Sequence, residues 1–322
     1  MEVKNKVAGN EYASLIFTVK NDIQGLERFL SSIMGQTRKP DELIVVDGGS
    51  EDGTLDMLKS FCEENSWARL IERPGANIAQ GRNIAITESQ YENIAVTDAG
   101  CVLEPDWLEV IIDPLLQDVA DVVSGGYELS YHTKFQRCLA ALVSSDRDEW
   151  NAETFLPSSR SIAFKRNAWE GVGGYPEWLP YAEDTYFDLR LKNSGFVFVL
   201  RSDALVHWEA RSDIKSLAKQ YYRYHHWDMI AGNFLYRGFL TFIFVFGLLL
   251  LLVASILYGP SIAAVVISAA LAYGFIRYGL IIAIKKRCAM CFFLTPVCAA
   301  VILISENVGR FTGLIKRFIS KV

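Results

Sequence analysis

The fold is decided by the stretch ELIVVDGGSEDGT, residues 42–54. Its apolar, β-branched run predicts a strand buried on both faces, and Asp47 marks the end of that strand. The acidic, glycine-rich turn that follows predicts the start of a helix over Leu55–Phe61. A buried strand that returns through a helix is the repeating unit of α/β proteins.

The same pattern recurs along the first third of the chain. Further strands are predicted at Ser14–Val19, Leu70–Ile71 and Asn93–Thr97, and helices at Ala79–Thr87 and Leu108–Leu116. The alternation predicts an α/β fold with a mainly parallel, Rossmann-like sheet flanked by helices. Ligands bind such sheets beyond the carboxyl ends of the strands, which is where residues 18–22, Asp47 and Asp98 fall.

The content of charged residues changes at one point along the chain. Residues 1–235 mix charged and apolar side chains, whereas the sequence from Phe239 to Ile304 is nearly free of charge. We therefore predict a soluble α/β domain over 1–235 and a C-terminal membrane region over 236–322. The formal net charge is −5 and the N-terminal part has no basic tract, which argues against nucleic acid as a partner.

The membrane region is predicted to begin with a helical hairpin. Residues 239–258 are about 20 residues without a charge, enough to span a bilayer, and residues 261–284 return after the turn at Gly259-Pro260. Arg237 before the first span and the basic run at 285–287 predict that both ends of the hairpin are cytoplasmic. Residues 288–304 are short and contain Pro296, so we favour a re-entrant or interfacial segment with an amphipathic tail over 305–322; an ordinary third span is the alternative.

The N-terminal residues and the cysteines indicate in which cellular compartment the soluble domain lies. The first residues lack the apolar core of a signal peptide, so the soluble domain is expected to face the cytoplasm, as part of a multi-pass protein of the cytoplasmic (inner) membrane. The six cysteines show no disulfide or zinc framework. Cys288 and Cys291 form a CxxC with no second pair or nearby histidine, and packing at a membrane border is the favoured interpretation.

Several motifs together resemble family 2 of the glycosyltransferases, the inverting enzymes with the GT-A fold, in a membrane-anchored bacterial or archaeal form. Residues 17–22 (FTVKND) resemble the family's P-T-Y-N, although Lys20 replaces Tyr and Pro is absent. Residues 42–54 are close to its E-I-I-V-V-D-D-G-S-x-D-G-T, and residues 80–86 (QGRNIAI) to its A-R-N-x-G-I. The order of these motifs along residues 12–230 carries the resemblance.

The resemblance implies a pocket for a nucleotide-sugar donor. Asp47 would accept a hydrogen bond from the base, with Thr18 and Arg82 in the same pocket. Asp47 as a helix cap, Arg82 as a surface residue and Thr18 as a packing residue are the alternatives. The other donor-binding candidates from the matching motifs are Lys20, Asn21, Gly49, Ser50, Asp98, Gln220 and Arg223.

The resemblance also implies a divalent metal, Mg²⁺ or Mn²⁺, that neutralises the diphosphate leaving group. Asp98-Ala99-Gly100 occupies the place of the family's D-x-D, so Asp98 is the expected ligand, and Gly100 departs from the pattern. A turn residue is the alternative for Asp98. His207 resembles a histidine ligand of some GT-A enzymes, although a lone histidine is more often structural.

The acceptor side is implied by two further elements. Glu183-Asp184, after a glycine-rich loop, matches the family's E-D, with Asp184 as the base that deprotonates the acceptor hydroxyl and Glu183 as its neighbour. An acidic helix N-terminus is the alternative. Gln220 and Arg223 resemble part of the Q-x-x-R-W of polysaccharide synthases and would contact diphosphate or acceptor; an interfacial aromatic belt is the alternative.

The function that follows is transfer of a sugar from a nucleoside diphosphate sugar, UDP-sugar by default, to a hydroxyl acceptor that is lipid-linked or otherwise amphiphilic. A processive polysaccharide synthase and a non-catalytic, membrane-tethered nucleotide-binding scaffold are the alternatives. The absence of G-x-G-x-x-G after the first strand argues against a nicotinamide dehydrogenase.

Overall fold

The computed structural model describes residues 11–144 and 147–320, so the N-terminal residues on which the signal-peptide prediction depends lie outside the described part. The chain divides into two compact units. Unit 1 comprises residues 1–128 and 145–209, and unit 2 comprises residues 129–144 and 210–322. Unit 2 thus also contains segments that precede the compositional step at residue 236.

Unit 1 is built on an eight-stranded sheet in the order β3-β2-β1-β4-β7-β6-β8-β5. The last residues of β6 belong to unit 2. The strands are β1 Ala13–Val19, β2 Glu42–Asp47, β3 Ala68–Glu72, β4 Asn93–Val96, β5 Cys101–Leu103, β6 Val122–Ser130, β7 Ile162–Lys165 and β8 Phe198–Glu209.

The helices of unit 1 connect and cover these strands. They are α1 Ile23–Met34, α2 Thr54–Glu64, α3 Ile78–Glu88, α4 Trp107–Leu116, α6 Arg166–Gly171 and α7 Glu183–Asn193, with a 3-10 turn at Arg147–Glu149. Each strand and helix predicted in residues 14–116 is present, with ends shifted by a few residues.

The sheet changes direction along its width. Strands β1, β2, β3 and β4 are mutually parallel, whereas β4–β7, β6–β7 and β5–β8 are antiparallel pairs. The α/β class is confirmed. The sequence predicts a strand-like stretch over 196–206, which is β8, but it does not predict β5, β6 and β7 or the antiparallel pairing. The four parallel strands all end at one edge, so the residues that follow β1, β2 and β4 are brought together there.

Buried apolar side chains cover both faces of the sheet. One cluster packs β1, β2 and β4 against α1 and α4 around Phe17, Phe29 and Trp107. The other packs the opposite face against α3, α6 and α7 around Phe164 and Phe187. The strands are long apolar runs because both of their faces are covered in this way.

Unit 2 is helical. Its helices are α5 Lys134–Val143, α8 Ile214–Ala231, α9 Leu235–Tyr258, α10 Pro260–Gly274, α11 Ile281–Lys285 and α12 Cys291–Ser320, with a π-helical segment at Phe275–Leu280. Leu139 of α5, Leu217 of α8 and Cys298 of α12 form a small buried cluster that joins three of these helices.

Three helical segments in the described part of the chain are long and apolar enough to cross a membrane: Leu235–Tyr258, Ala264–Lys285 and Cys291–Ser320. The predicted turn at Gly259-Pro260 separates the first two, with Pro260 at the first helical position, where its missing N–H costs nothing. The third segment differs from the favoured expectation because α12 is one continuous helix, with no break between an interfacial segment and a tail. Its length favours the alternative of a third span.

Candidate functional site

The turn after β2 is organised by Asp47. Its Oδ1 accepts hydrogen bonds from the backbone N–H groups of Gly49 at 2.8 Å and Ser50 at 2.9 Å. Its Oδ2 is buried and has no hydrogen-bond partner among the described residues. One oxygen thus closes the turn, as a capping role requires, and the other remains a buried acceptor without a donor, which costs free energy unless a ligand satisfies it.

The loop after β1 is bound to the loop after β2. The backbone N–H of Asn21 donates to Ser50 Oγ at 2.9 Å, and Asn21 Oδ1 accepts from the backbone N–H of Glu51 at 2.8 Å. Asn21 has a positive φ of 54°, a conformation that asparagine tolerates better than most residues. Lys20 is exposed, and its side chain passes over Gly48. These bonds hold candidate donor-binding residues from two strands together.

Helix α3 approaches the sheet closely at Gly81. A Cβ at this position would lie 2.6 Å from Thr18 Cγ2, so only glycine permits the contact. The helix begins with a capping box in which Asn77 and Gln80 satisfy each other's backbone N–H groups. The close packing of β1 and α3 places the next residue, Arg82, against the edge of the sheet.

Arg82 connects two carboxylates from distant parts of the chain. Its Nη2 donates to Asp98 Oδ1 at 2.6 Å and its Nη1 to Glu183 Oε1 at 2.7 Å, and its guanidinium lies 5.2 Å from the centre of the Tyr175 ring. The residue is only 1% exposed. Burial lowers the pKa of Arg82, but the charges of Asp98 and Glu183 outweigh this effect and raise it, so the guanidinium stays charged.

Glu183 and Asp184 begin α7 but face different surroundings. Glu183 is buried against Arg82; burial, and then the charge of Asp184, raise its pKa to about 7, although Arg82 acts in the opposite direction. Asp184 is half-buried, and Ser158 Oγ lies 3.5 Å from its Oδ2. Glu183 is therefore held in an ion pair, whereas Asp184 remains available at the mouth of the helix.

Two acidic residues near the site were not predicted. Asp188 lies one turn after Asp184; it is fully buried, neither of its oxygens has a hydrogen-bond partner among the described residues, and burial raises its pKa well above the usual range. The i, i+4 spacing from Asp184 is the signal that sequence analysis could have used. Asp22 was included only within the loop after β1, and its carboxylate lies against Gly100.

The side chain of Asp22 lies beside Gly100, the residue that stands in place of the second Asp of the D-x-D motif. A Cβ on Gly100 would lie 3.0 Å from Asp22 Oδ2, and Gly100 has a positive φ of 82°. Burial, and then the charge of Asp52, raise the pKa of Asp22. A carboxylate is thus present next to position 100, although it comes from the loop after β1 and not from position 100 itself.

The remaining candidates lie elsewhere. His207 is on β8, opposite Val102 of β5, and its Nε2 lies 2.5 Å from Glu104 Oε1. Gln220 and Arg223 are on α8 in unit 2, where Gln220 Oε1 accepts a hydrogen bond from Arg211 Nε at 2.8 Å. The structure therefore groups Asp98, Arg82, Glu183 and Asp184, and the roles of all the candidates stay predictions.

The sheet has the mixed topology of the GT-A fold, and its parallel edge carries two acidic elements that are bridged by an arginine. The family model described as "Glycosyl transferase family 2" matches residues 14–158. This match shows a glycosyltransferase domain of the family 2 type within residues 14–158.

Similar proteins agree on this class. Glycosyltransferase AglE of Haloferax volcanii is 24% identical over 65% of this chain and 71% of its own length. The O-antigen chain rhamnosyltransferase RfbN of Salmonella typhimurium is 24% identical over 55% of this chain and 60% of its own length. The solved mannosyltransferase PcManGT of Pyrobaculum calidifontis, in complex with GDP-Man and Mn²⁺, shares the fold with a TM-score of 0.58 and 18% identity, over 97% of this chain and 89% of that one.

Proposed function

We propose that this protein transfers a sugar, with inversion, from a nucleoside diphosphate sugar to a hydroxyl of a lipid-linked or otherwise amphiphilic acceptor, with a UDP-sugar as the default donor. The observation that carries the proposal is the Arg82 bridge, which ties Asp98 on the donor side to Glu183 beside Asp184 on the acceptor side. Groups that would act on the leaving phosphate and on the incoming hydroxyl would thereby share one edge of the sheet.

The donor's base would bind at the turn after β2. The buried Oδ2 of Asp47 is an acceptor without a donor, and a base N–H would satisfy it. The loop that contains Asn21 and Ser50 lies beside it, with Thr18 on the neighbouring strand. Lys20 is exposed at the same loop, where its ammonium group would meet the charge of the diphosphate.

The carboxylates near the diphosphate position fit a divalent metal. Asp98 is half-buried and Asp22 lies beside Gly100, and both offer the oxygen ligands that Mg²⁺ and Mn²⁺ accept. A bound Mn²⁺ or Mg²⁺ would supply positive charge against the leaving diphosphate. Substrate phosphates and water would complete the ligand set, as is usual where the protein provides one or two carboxylates. His207 would first have to exchange its contact with Glu104.

Asp184 is the proposed base. It would take the proton of the acceptor hydroxyl as the oxygen attacks the anomeric carbon from the side opposite the diphosphate, and the nucleoside diphosphate would leave with the electrons of the broken C–O bond. Glu183 would act as a positioning residue, because its ion pair with Arg82 fixes the first turn of α7. Gln220 and Arg223 are proposed to contact acceptor or diphosphate.

The three long apolar helices indicate membrane association. We propose a multi-pass protein of the cytoplasmic membrane, with the catalytic domain on the cytoplasmic side, where nucleotide sugars would be available. An amphiphilic acceptor dissolved in the same bilayer would then reach the enzyme by lateral diffusion.

The test uses the full-length chain in detergent or nanodiscs, incubated with a panel of nucleotide sugars and a polyprenyl-diphosphate-linked sugar, whose free hydroxyls serve as the acceptor, with and without Mn²⁺ or Mg²⁺. Release of nucleoside diphosphate and the mass of the glycosylated lipid are measured. Asp184→Asn should lower turnover by about 10²–10⁴-fold with donor binding retained. Asp56→Asn, at an exposed acidic position in the first turn of α2, is the matched control and should behave as wild type.

Wild-type turnover in Asp184→Asn would remove that residue from the mechanism. Donor binding without transfer to any hydroxyl acceptor, in both wild type and control, would favour a non-catalytic binding protein. Ladders of products of increasing mass would instead identify a processive synthase.

A further inference from the structure

Unit 2 contains a group of three cysteines that the proposed reaction does not use. Cys138 lies on α5, Cys288 in the turn before α12, and Cys291 is the first residue of α12. The Sγ atoms of Cys138 and Cys288 are 4.0 Å apart, those of Cys138 and Cys291 are 2.9 Å apart, and all three lie within 4.8 Å of one another. Cys138 is separated from the CxxC by about 150 residues, so the sequence interpretation as packing residues could not include it.

The arrangement has the dimensions of a thiolate metal site. With Zn–S bonds of about 2.3 Å, sulfur atoms at the corners of a tetrahedron lie about 3.8 Å apart. The separations of Cys138 Sγ from the other two sulfur atoms, 2.9 and 4.0 Å, lie on either side of this value. Two of the ligands come from a C-x-x-C at the start of a helix, which is a common zinc-ligand spacing, and the third comes from a different helix. Among residues 11–144 and 147–320, this is the one group of three His, Cys, Asp or Glu side chains that meets so closely.

Burial and charge also fit a metal. Cys138 and Cys291 are buried and Cys288 is half-buried, so the group is shielded but has one side near solvent. Three thiolates around Zn²⁺ carry a net charge of about −1. Arg137, next to Cys138, interacts electrostatically with Cys138 and Cys288, and the basic run at 285–287 directly precedes Cys288. This positive surrounding would offset the charge of the site.

We propose that Cys138, Cys288 and Cys291 bind one Zn²⁺ ion, with the fourth position taken by water or another ligand on the side of Cys288. Binding converts three thiols to thiolates and releases three protons, with no change in oxidation state. The ion ties α5 to the start of α12, which strengthens a contact between elements far apart in the chain. Its role is structural, since it fixes the fold of unit 2 and takes no part in sugar transfer.

The test measures metal in the full-length protein, purified in detergent with a non-thiol reductant. Elemental analysis should find about one zinc per chain. After replacement of zinc by Co²⁺, the protein should show the thiolate-to-cobalt charge-transfer absorption and the intense visible bands of a tetrahedral cobalt site. Both signals should fall by roughly tenfold or more in Cys138→Ser, Cys288→Ser and Cys291→Ser.

Cys298→Ser is the matched control, because Cys298 is equally buried on α12 but is not one of the three. It should keep zinc and the cobalt spectrum. If one of the three cysteine variants does not fold, the metal content and the cobalt spectrum of the wild type still test whether the protein binds the ion.

Three results would overturn the proposal. One is wild-type protein that binds neither zinc nor cobalt while all three thiols react with an alkylating reagent. The second, in protein purified without reductant, is an intact mass lower by two hydrogen atoms, with a Cys138–Cys291 disulfide found by peptide mapping. Loss of metal in Cys298→Ser to the same extent would equally reject the assignment of ligands.

Discussion

Replacement of Arg82 by methionine tests how the site is held together. Arg82 is almost fully buried and pairs with Asp98 and Glu183 at 2.6 and 2.7 Å. Methionine fills a similar volume but leaves both carboxylates without their cation. Removal of one partner from a buried ion pair costs about 3–5 kcal/mol, because the remaining carboxyl group either keeps an unpaired charge or must take up a proton. For a unit of about 200 residues this corresponds to a fall in Tm of roughly 6–20 °C.

The control is the same substitution at an exposed pair. Arg69 and Glu88 form an ion pair at 3.1 Å with both side chains about 40% exposed. Exposed pairs contribute about 0–1 kcal/mol, so Arg69→Met should lower Tm by a few degrees at most. Both Tm values are measured on the full-length protein in the same detergent by intrinsic fluorescence.

A second variant separates charge from packing. Glu183→Gln in the Arg82→Met background replaces one of the two carboxyl groups that have lost their cation and should recover part of the lost Tm, while sugar transfer remains impaired. If Arg82→Met loses no more stability than Arg69→Met, or if Glu183→Gln recovers none of the loss, the view of Arg82 as the electrostatic centre of the site is refuted.

Three further outcomes follow from the structure. Gly81→Ala should lower stability by about 1–3 kcal/mol in thermal unfolding, and Thr18→Ser, which removes the clashing Cγ2, should recover part of it; no recovery would contradict the close-approach argument. Gly100→Asp should lower both Tm and turnover, because it adds a carboxylate at positive φ beside Asp22; a gain in turnover would contradict this. The raised pKa of Asp188 means that the folded state keeps a proton that the unfolded state has lost. The stability of the wild type should therefore fall as pH rises above about 4, by up to about 1.4 kcal/mol per pH unit. Asp188→Asn should flatten this dependence of stability on pH, and parallel profiles of variant and wild type would contradict the argument.

The parallel half of the sheet was predictable because its strands are apolar runs bounded by turns. β1 and β2 are buried over nearly their whole length, so composition alone identifies them. Strands β5, β6 and β7 of the antiparallel half were not, because β5 has three residues, β7 has four, and β6 ends in exposed or half-exposed residues. Such short or mixed segments have no period that distinguishes them from loops.

The candidate site shows the same division. The resemblance directed attention to Arg82, but its pairing with Glu183 joins residues 101 positions apart, which no local pattern encodes. Asp22 lies beside Gly100 only because the loops after β1 and β4 meet at one edge of the sheet. Cys138 lies beside Cys291 because α5 packs on α12. This contact could not be predicted from the sequence, because α5 itself was not predicted.

The chain passes from one compact unit to the other three times, after residues 128, 144 and 209. A shortened protein that stops before the apolar helices would therefore still carry α5 and α8, while Cys298 of α12, which belongs to the same buried cluster as Leu139, would be missing. Such a fragment would expose the apolar side chains of this cluster to solvent and would be prone to aggregate. Soluble versions for crystallisation or screening should replace residues 129–144 with a short polar linker as well as removing the C-terminal part.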